Sequence, residues 1–213
     1  MAPIRHLLLG MVLTATAGFV DAIGFIELGG YFVSFMSGNT TQGGAGIVTG
    51  NWGEVGLTLS LVALFFIGSV LGTLLSTTNP RWAPALVTGL VVLGVAATIV
   101  LSLSGFGASQ SMLILAATAG AQNAILPVRG AVRLGATFVT GTLYVAGQDL
   151  AFALRGKAPR WRWAQHMAVW VSLFVGAAIG ALAYGPVGIY ALFVPLGIYA
   201  AFFIGHIATA TRT

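Results

Sequence analysis

Asp21 is the residue whose type and position most invite chemistry. It lies well inside a long apolar run, and at helical spacing Thr14, Gly18 and Gly24 share its face. Such a face is small and polar, and should look into a helix bundle rather than out to lipid. An ionisable side chain at membrane depth is costly unless it is paired or hydrated. Two roles follow: a proton- or ion-coupling carboxylate, or an acceptor for backbone N–H groups of a neighbouring broken segment. Two further motifs combine glycine with small polar side chains. They are Ser37-Gly38-Asn39-Thr40, followed by Gln42, and Thr140-Gly141-Thr142. Their glycines permit a tight turn or close backbone approach. Their hydroxyls and amides could hold a polar solute or satisfy backbone groups freed by irregular structure. Gln122-Asn123 completes the set. The expected substrate- or ion-binding residues are therefore Asp21, Ser37, Asn39, Thr40, Gln42, Gln122, Asn123, Thr140 and Thr142.

Other residues promise less. Asp149 has Arg155 and Lys157 close enough in sequence to pair with it. His6, His166 and His206 show no common metal-ligand spacing, so no metal is expected. No cysteine is present, which removes thiol chemistry and disulfides. G-x-S-x-G, P-loop and H-E-x-x-H motifs are absent, and the few charged groups make no clear acid–base pair. No catalytic residue, cofactor or enzymatic activity is expected.

The elements that must position these residues are dictated by composition. Hydrophobic residues make up 58% of the 213, and charged residues 6%, against roughly 25% charged in soluble domains. So few charges cannot cover a soluble surface, and the solvent for most of the chain must be lipid. Disorder needs the opposite composition. A net charge of +5 fits the cytoplasmic cation bias of membrane proteins, not a nucleic-acid partner. A bilayer core takes about 20 apolar residues per helix. Spans are expected at about 7–27, 55–76, 84–104, 109–128, 163–184 and 187–208, broken at Asn79-Pro80, at Ser104-Gly105-Phe106-Gly107 and at Tyr184-Gly185-Pro186. Residues 31–50 and 134–156 have apolar flanks around a polar, glycine-containing centre, and read as broken or re-entrant segments. The N-terminus, with Arg5-His6 and Ala15-Thr16-Ala17, has the outline of a signal peptide. A first transmembrane helix is preferred, because the same residues recur later.

That recurrence is an internal repeat. Residues 15–23, ATAGFVDAI, match residues 117–125, ATAGAQNAI, with Asp21 facing the near-isosteric Asn123. Phe35-Met36-Ser37-Gly38-Asn39 matches Phe138-Val139-Thr140-Gly141-Thr142, and Gly68-x-x-x-Gly72 matches Gly176-x-x-x-Gly180. The matches are collinear, as in a duplicated half. The chain reads as one membrane domain, 1–213, with halves at 7–104 and 109–208. If the two ambiguous segments do not cross, six crossings put all nine cations on the cytoplasmic side: Arg5, Arg81, Arg129, Arg133, Arg155, Lys157, Arg160, Arg162 and Arg212. Glu27 and Glu54 then lie outside. Eight crossings as a parallel repeat would divide the cations. The expected fold is an all-α integral membrane protein: six transmembrane helices plus two re-entrant segments, as an inverted repeat. Arg160-Trp161-Arg162-Trp163 reads as an interfacial anchor. The Gly-x-x-x-Gly pairs suit helix packing inside the chain, with a homodimer through these glycine-rich helices as the alternative.

Gly18-Phe19-Val20-Asp21-Ala22, Ser37-Gly38-Asn39, Gly120-Ala121-Gln122-Asn123-Ala124 and Thr140-Gly141-Thr142 together resemble the motifs of the YoaK-like family of bacterial membrane proteins. Ser37 stands where threonine is commoner, and a hydroxyl is retained. The resemblance implies a bacterial inner-membrane protein and supplies no activity. From the residues, a transporter or channel for a small polar solute is expected, proton-coupled if Asp21 titrates. The alternative is a non-transporting scaffold or partner subunit.

Overall fold

A computed structural model describes residues 4–125 and 139–212. Arg129, Arg133, Phe138 and the first residues of the 134–156 segment lie outside these. The described residues form α1 (Ile4–Glu27), α2 (Met36–Thr49), α3 (Trp52–Ser76), α4 (Ala83–Leu103), α5 (Ala108–Gln122), α6 (Val139–Leu154), α7 (Arg162–Val187), a 3-10 turn at Gly188–Leu192 and α8 (Phe193–Arg212). Four stretches of them are long and apolar enough to cross a membrane: His6–Glu27, Trp52–Ser76, Ala83–Leu103 and Arg162–Arg212, the last holding both α7 and α8. At 1.5 Å per residue, α3 reaches about 37 Å, whereas α2 reaches only about 21 Å.

Large apolar side chains fill the interior, as Leu61, Met112 and Tyr199 do, but they also cover the surface. Large apolar side chains such as Phe66, Leu93, Phe174 and Leu182 point outward, while glycine and alanine lie between helices. A β-carbon on Gly68 would strike the carbonyl of Ala117, and one on Gly72 would strike Ala121; likewise Gly176 would strike the carbonyl of Ala15, and Gly180 would strike Phe19. The contact is mutual, since Gly18 lies against the Leu173 carbonyl and Gly120 against that of Phe65. Residue numbers rise together along both helices of each pair, so α1 runs parallel to α7 and α3 parallel to α5. Close backbone approach of this kind lets dispersion stabilise helices in lipid, where the hydrophobic effect does not.

The direction of α4 against α8 is the opposite. Arg81 Nε, just before α4, donates to the carbonyl of Ala210 near the end of α8. Thr88 Oγ1 lies 3.3 Å from His206 Nδ1, and Gly89 lies beneath the Phe203 ring. These pairs run in antiparallel order. α4 and α5 form an antiparallel hairpin, with Gly94 against Thr118. α2 folds back antiparallel on α3, Gly43 against Thr58 and Gly46 against Val55. α6 packs on α7 in the corresponding way.

Several boundaries differ from the sequence reading, among them the last helix, expected at 187–208 and found at Phe193–Arg212. The break expected at Tyr184-Gly185-Pro186 falls later. α7 continues through Pro186 to Val187, and the chain turns at Gly188, whose φ is 56°. Pro186 withholds one helical N–H and the helix ends a residue later, while the positive φ at Gly188 suits glycine. α5 ends at Gln122 and gives way to a turn at Asn123–Ile125, short of the expected 128. Within 31–50, only Met36–Thr49 is helical, and the residues before it are an irregular loop.

Candidate functional site

The loop of residues 28–35 joins α1 to α2. Gly29 and Gly30 have φ of 66° and 118°, values that reverse the chain at the end of α1 and are strained for other residues. The loop then runs back along α1, where Val33 packs on Gly24. Three side chains singled out from the sequence hold it there. Asp21 Oδ1 accepts from the N–H of Val33 at 2.9 Å and of Ser34 at 2.8 Å. Asn39 is fully buried; its Oδ1 accepts from the Phe32 N–H at 2.9 Å and its Nδ2 donates to the Phe32 carbonyl at 2.6 Å. Gln42 Nε2 donates to the Gly30 carbonyl at 3.0 Å. Irregular backbone at membrane depth needs such partners. The rings of Phe25, Phe32 and Phe35 follow one another at centroid distances of 4.9 and 5.1 Å. Tyr184 donates to Glu27 Oε1 at 2.8 Å, tying the end of α1 to α7.

So anchored, the loop delivers the first turn of α2 to a cavity of about 260 Å³. It is lined by Ser34, Phe35, Met36 and Ser37 on one side, Phe65 of α3, and Thr140 and Gly141 in the first turn of α6. Phe65 stands near the middle of α3, so the cavity is level with the centre of a helix long enough to cross a bilayer. Among the described residues, no charged side chain lines it. The first turn of α2 lends it partial positive potential, and Ser37 and Thr140 bring hydroxyls.

The expected site residues therefore divide. Ser37 and Thr140 reach the cavity. Asp21, Asn39 and Gln42 hold the loop that borders it. Thr40 turns back to the Met36 carbonyl at 2.9 Å. Gln122 is buried and ties α5 to α1 through the Leu13 carbonyl at 3.0 Å. Asn123 donates to Ala119 and Gly120 at 3.1 and 3.4 Å. Thr142 sits in α6, half-buried, outside the cavity lining. Sequence reasoning missed Phe65, which offers no polar signal. It also misplaced the partner of Asp149, which is neither Arg155 nor Lys157. Buried Asp149 receives Arg162 through both carboxylate oxygens, Nε at 2.8 Å from Oδ2 and Nη2 on Oδ1, with His166 Nε2 at 3.5 Å. Among the described residues, no three His, Cys, Asp or Glu side chains gather as a metal site.

Comparison with known proteins agrees with this picture at the level of family. Residues 9–205 match the family described as "Protein of unknown function (DUF1275)". The UPF0700 transmembrane protein RA0705 of Rhizobium meliloti is 31% identical over 196 residues, covering 90% of this chain and 83% of the relative. The UPF0700 transmembrane protein YoaK of Bacillus subtilis is 28% identical over 158 residues, covering 70% and 69%. No solved structure matches. The resemblance drawn from the paired motifs is thus correct, and the chain is a helical membrane protein.

Proposed function

The chain belongs to the DUF1275 family of transmembrane proteins, and from that premise we propose a transporter or channel for a small polar solute. The observation that carries the proposal is the mid-membrane cavity onto which the first turns of α2 and α6 both open. Lone hydroxyls and a helix start there suit a solute that must shed part of its hydration.

The arrangement we propose around it is six crossings and two re-entrant helices, as an inverted repeat. Helix directions support it. Parallel α1 and α7 start at one face, so an even number of crossings separates those starts. The beginning of α4 lies beside the end of α8, so α4 to α8 must also contain an even number. If α6 crossed, that number would be odd. With α5 taken as a crossing, this count leaves α6, and then α2, as the re-entrant helices of the arrangement we propose. The glycine–carbonyl contacts also recur at the positions that the repeat equates. The same count gathers Arg81, Arg155, Lys157, Arg160, Arg162 and Arg212 at one face, which we assign to the cytoplasm of a bacterial inner membrane, with both termini. The glycine faces that would have served a homodimer are filled by the chain's own helices, so no dimer through them is proposed.

Asp21 enters this reading as a positioning residue, because its oxygen already holds two loop amides. The same observation favours the competing scaffold reading, and flux separates the two. Proteoliposomes challenged with glycerol, urea or sodium formate should swell faster than empty vesicles for at least one solute. Thr140→Cys, made in a chain without native cysteine, should lose that flux on thiol modification. Swelling indistinguishable from empty vesicles across these and wider solutes favours the scaffold.

A further inference from the structure

Away from this cavity, a groove of about 520 Å³ opens between α1 and α7. Met11 and Ala15 form one wall; Trp163, Met167, Val171 and Val175 form the other. From Trp163 to Val175 the groove follows α7 for about 18 Å, from the first turn toward the middle of the helix. Its one hydroxyl, Ser172 Oγ, is engaged by the Val169 carbonyl at 2.7 Å. An open, apolar trough of this reach fits an extended hydrocarbon chain.

The mouth has a different character. Trp163 Nε1 donates to the Arg160 carbonyl at 3.1 Å, which fixes the indole against the preceding turn. Arg155, Lys157 and Arg160 are exposed in the same short connection between α6 and α7. The chain has only four acids, and none is available to them. Asp149 is buried against Arg162, Glu27 bonds Tyr184 at the far end of α7, Asp21 holds the loop, and Glu54 stands at the start of α3. The corresponding connection between α2 and α3, Gly50-Asn51-Trp52-Gly53-Glu54, carries no cation at all.

We propose that this groove is a binding site for an anionic phospholipid. One acyl chain lies between α1 and α7, and the headgroup phosphate is held by Lys157 and Arg160. The apolar trough ends at Trp163, which bonds the backbone of Arg160, and an apolar groove beside unneutralised cations matches an acyl chain joined to an anionic headgroup. The site is separate from the solute cavity and does not depend on transport.

The test is native mass spectrometry of the full chain, released from detergent with phosphatidylglycerol or phosphatidylcholine of identical acyl chains. One phosphatidylglycerol should be retained, with a preference over phosphatidylcholine of about tenfold or more, the order that interfacial cations supply. Lys157→Glu with Arg160→Glu, both on the exposed turn, should abolish the preference. Ala168→Phe, which fills the groove, should abolish retention of both lipids. Soluble glycerol phosphate in large excess should not displace the lipid, which separates lipid binding from a bare phosphate site. A phosphatidylglycerol with a photoreactive acyl chain should label the segments around Met11 and Met167 in the unmutated protein, a readout that survives misfolding of any variant. Equal retention of the two lipids, displacement by glycerol phosphate, or labelling spread evenly over all helices overturns the proposal.

Discussion

At the scale of single residues, Asp21 shows how a costly group can be retained for what it holds. Its Oδ1 accepts two consecutive amides of a loop that has no secondary structure of its own. Asn39 does the same for both backbone groups of Phe32. Asp21→Ala should leave the Val33 and Ser34 amides unmatched and lower stability by about 2 kcal/mol or more. Asp21→Asn keeps an acceptor oxygen and should unfold close to the wild-type temperature in detergent. An Asp21→Ala protein as stable as wild type would refute the anchoring role. Loss of pH-driven flux in a well-folded Asp21→Asn protein would instead restore a coupling role. The type and depth of Asp21 were legible in the sequence, and so was its choice between these roles. Its partners were not, because they lie 12 and 13 residues away in a loop whose path depends on Gly29 and Gly30.

Among the elements, the α6–α7 pair is held by charge where α2–α3 is held by close packing. Arg162 meets Asp149 because α6 ends at Leu154, and Gly156, with φ of 67°, turns the chain back antiparallel. Arg155 and Lys157 sit in that turn, too early to reach back to the buried carboxylate. Sequence proximity favoured them, and only the length of the turn decides the matter. Arg162→Met should leave the buried Asp149 carboxylate without its guanidinium and lower the unfolding temperature. Adding Asp149→Leu should recover much of the loss, since an apolar pair needs no counter-charge. A double-mutant cycle in thermal unfolding measures the coupling; additive losses would mean that the pair does not hold α6 in place. Apolar runs revealed α1, α3, α4 and α7 to within a few residues. They failed at Pro186, where helical continuity survived a residue that normally stops it, and at residues 31–50 and 134–156, whose hydropathy does not encode direction.

For the whole molecule, the decisive relation is the direction of helices that lie far apart in sequence. Thr49→Cys, Thr78→Cys and Lys157→Cys, each made alone in a chain without native cysteine, report it in intact spheroplasts. With six crossings, Thr78→Cys and Lys157→Cys should be protected from an impermeant maleimide and Thr49→Cys should react. With eight crossings, Thr49→Cys and Lys157→Cys would share a side, opposite to Thr78→Cys. The cation count in the sequence pointed to the first pattern before any helix was placed. It could not identify which helices touch, because the glycine faces of α1 and α3 are alike in composition.

The glycine-backed pairs also bear on how the protein is made. α1 rests on α7, and α3 on α5, so each helix of the first four that lies in such a pair finds its mate in the last four. As the chain leaves the ribosome, α1 enters the bilayer long before α7 exists, with its small-residue face turned to lipid or to an insertion factor. Truncation after α4 would therefore yield no smaller version of the protein, only helices whose bare backbone has nothing to lie against. Biogenesis of this membrane protein is a waiting problem, solved when first α5 and then α7 arrive.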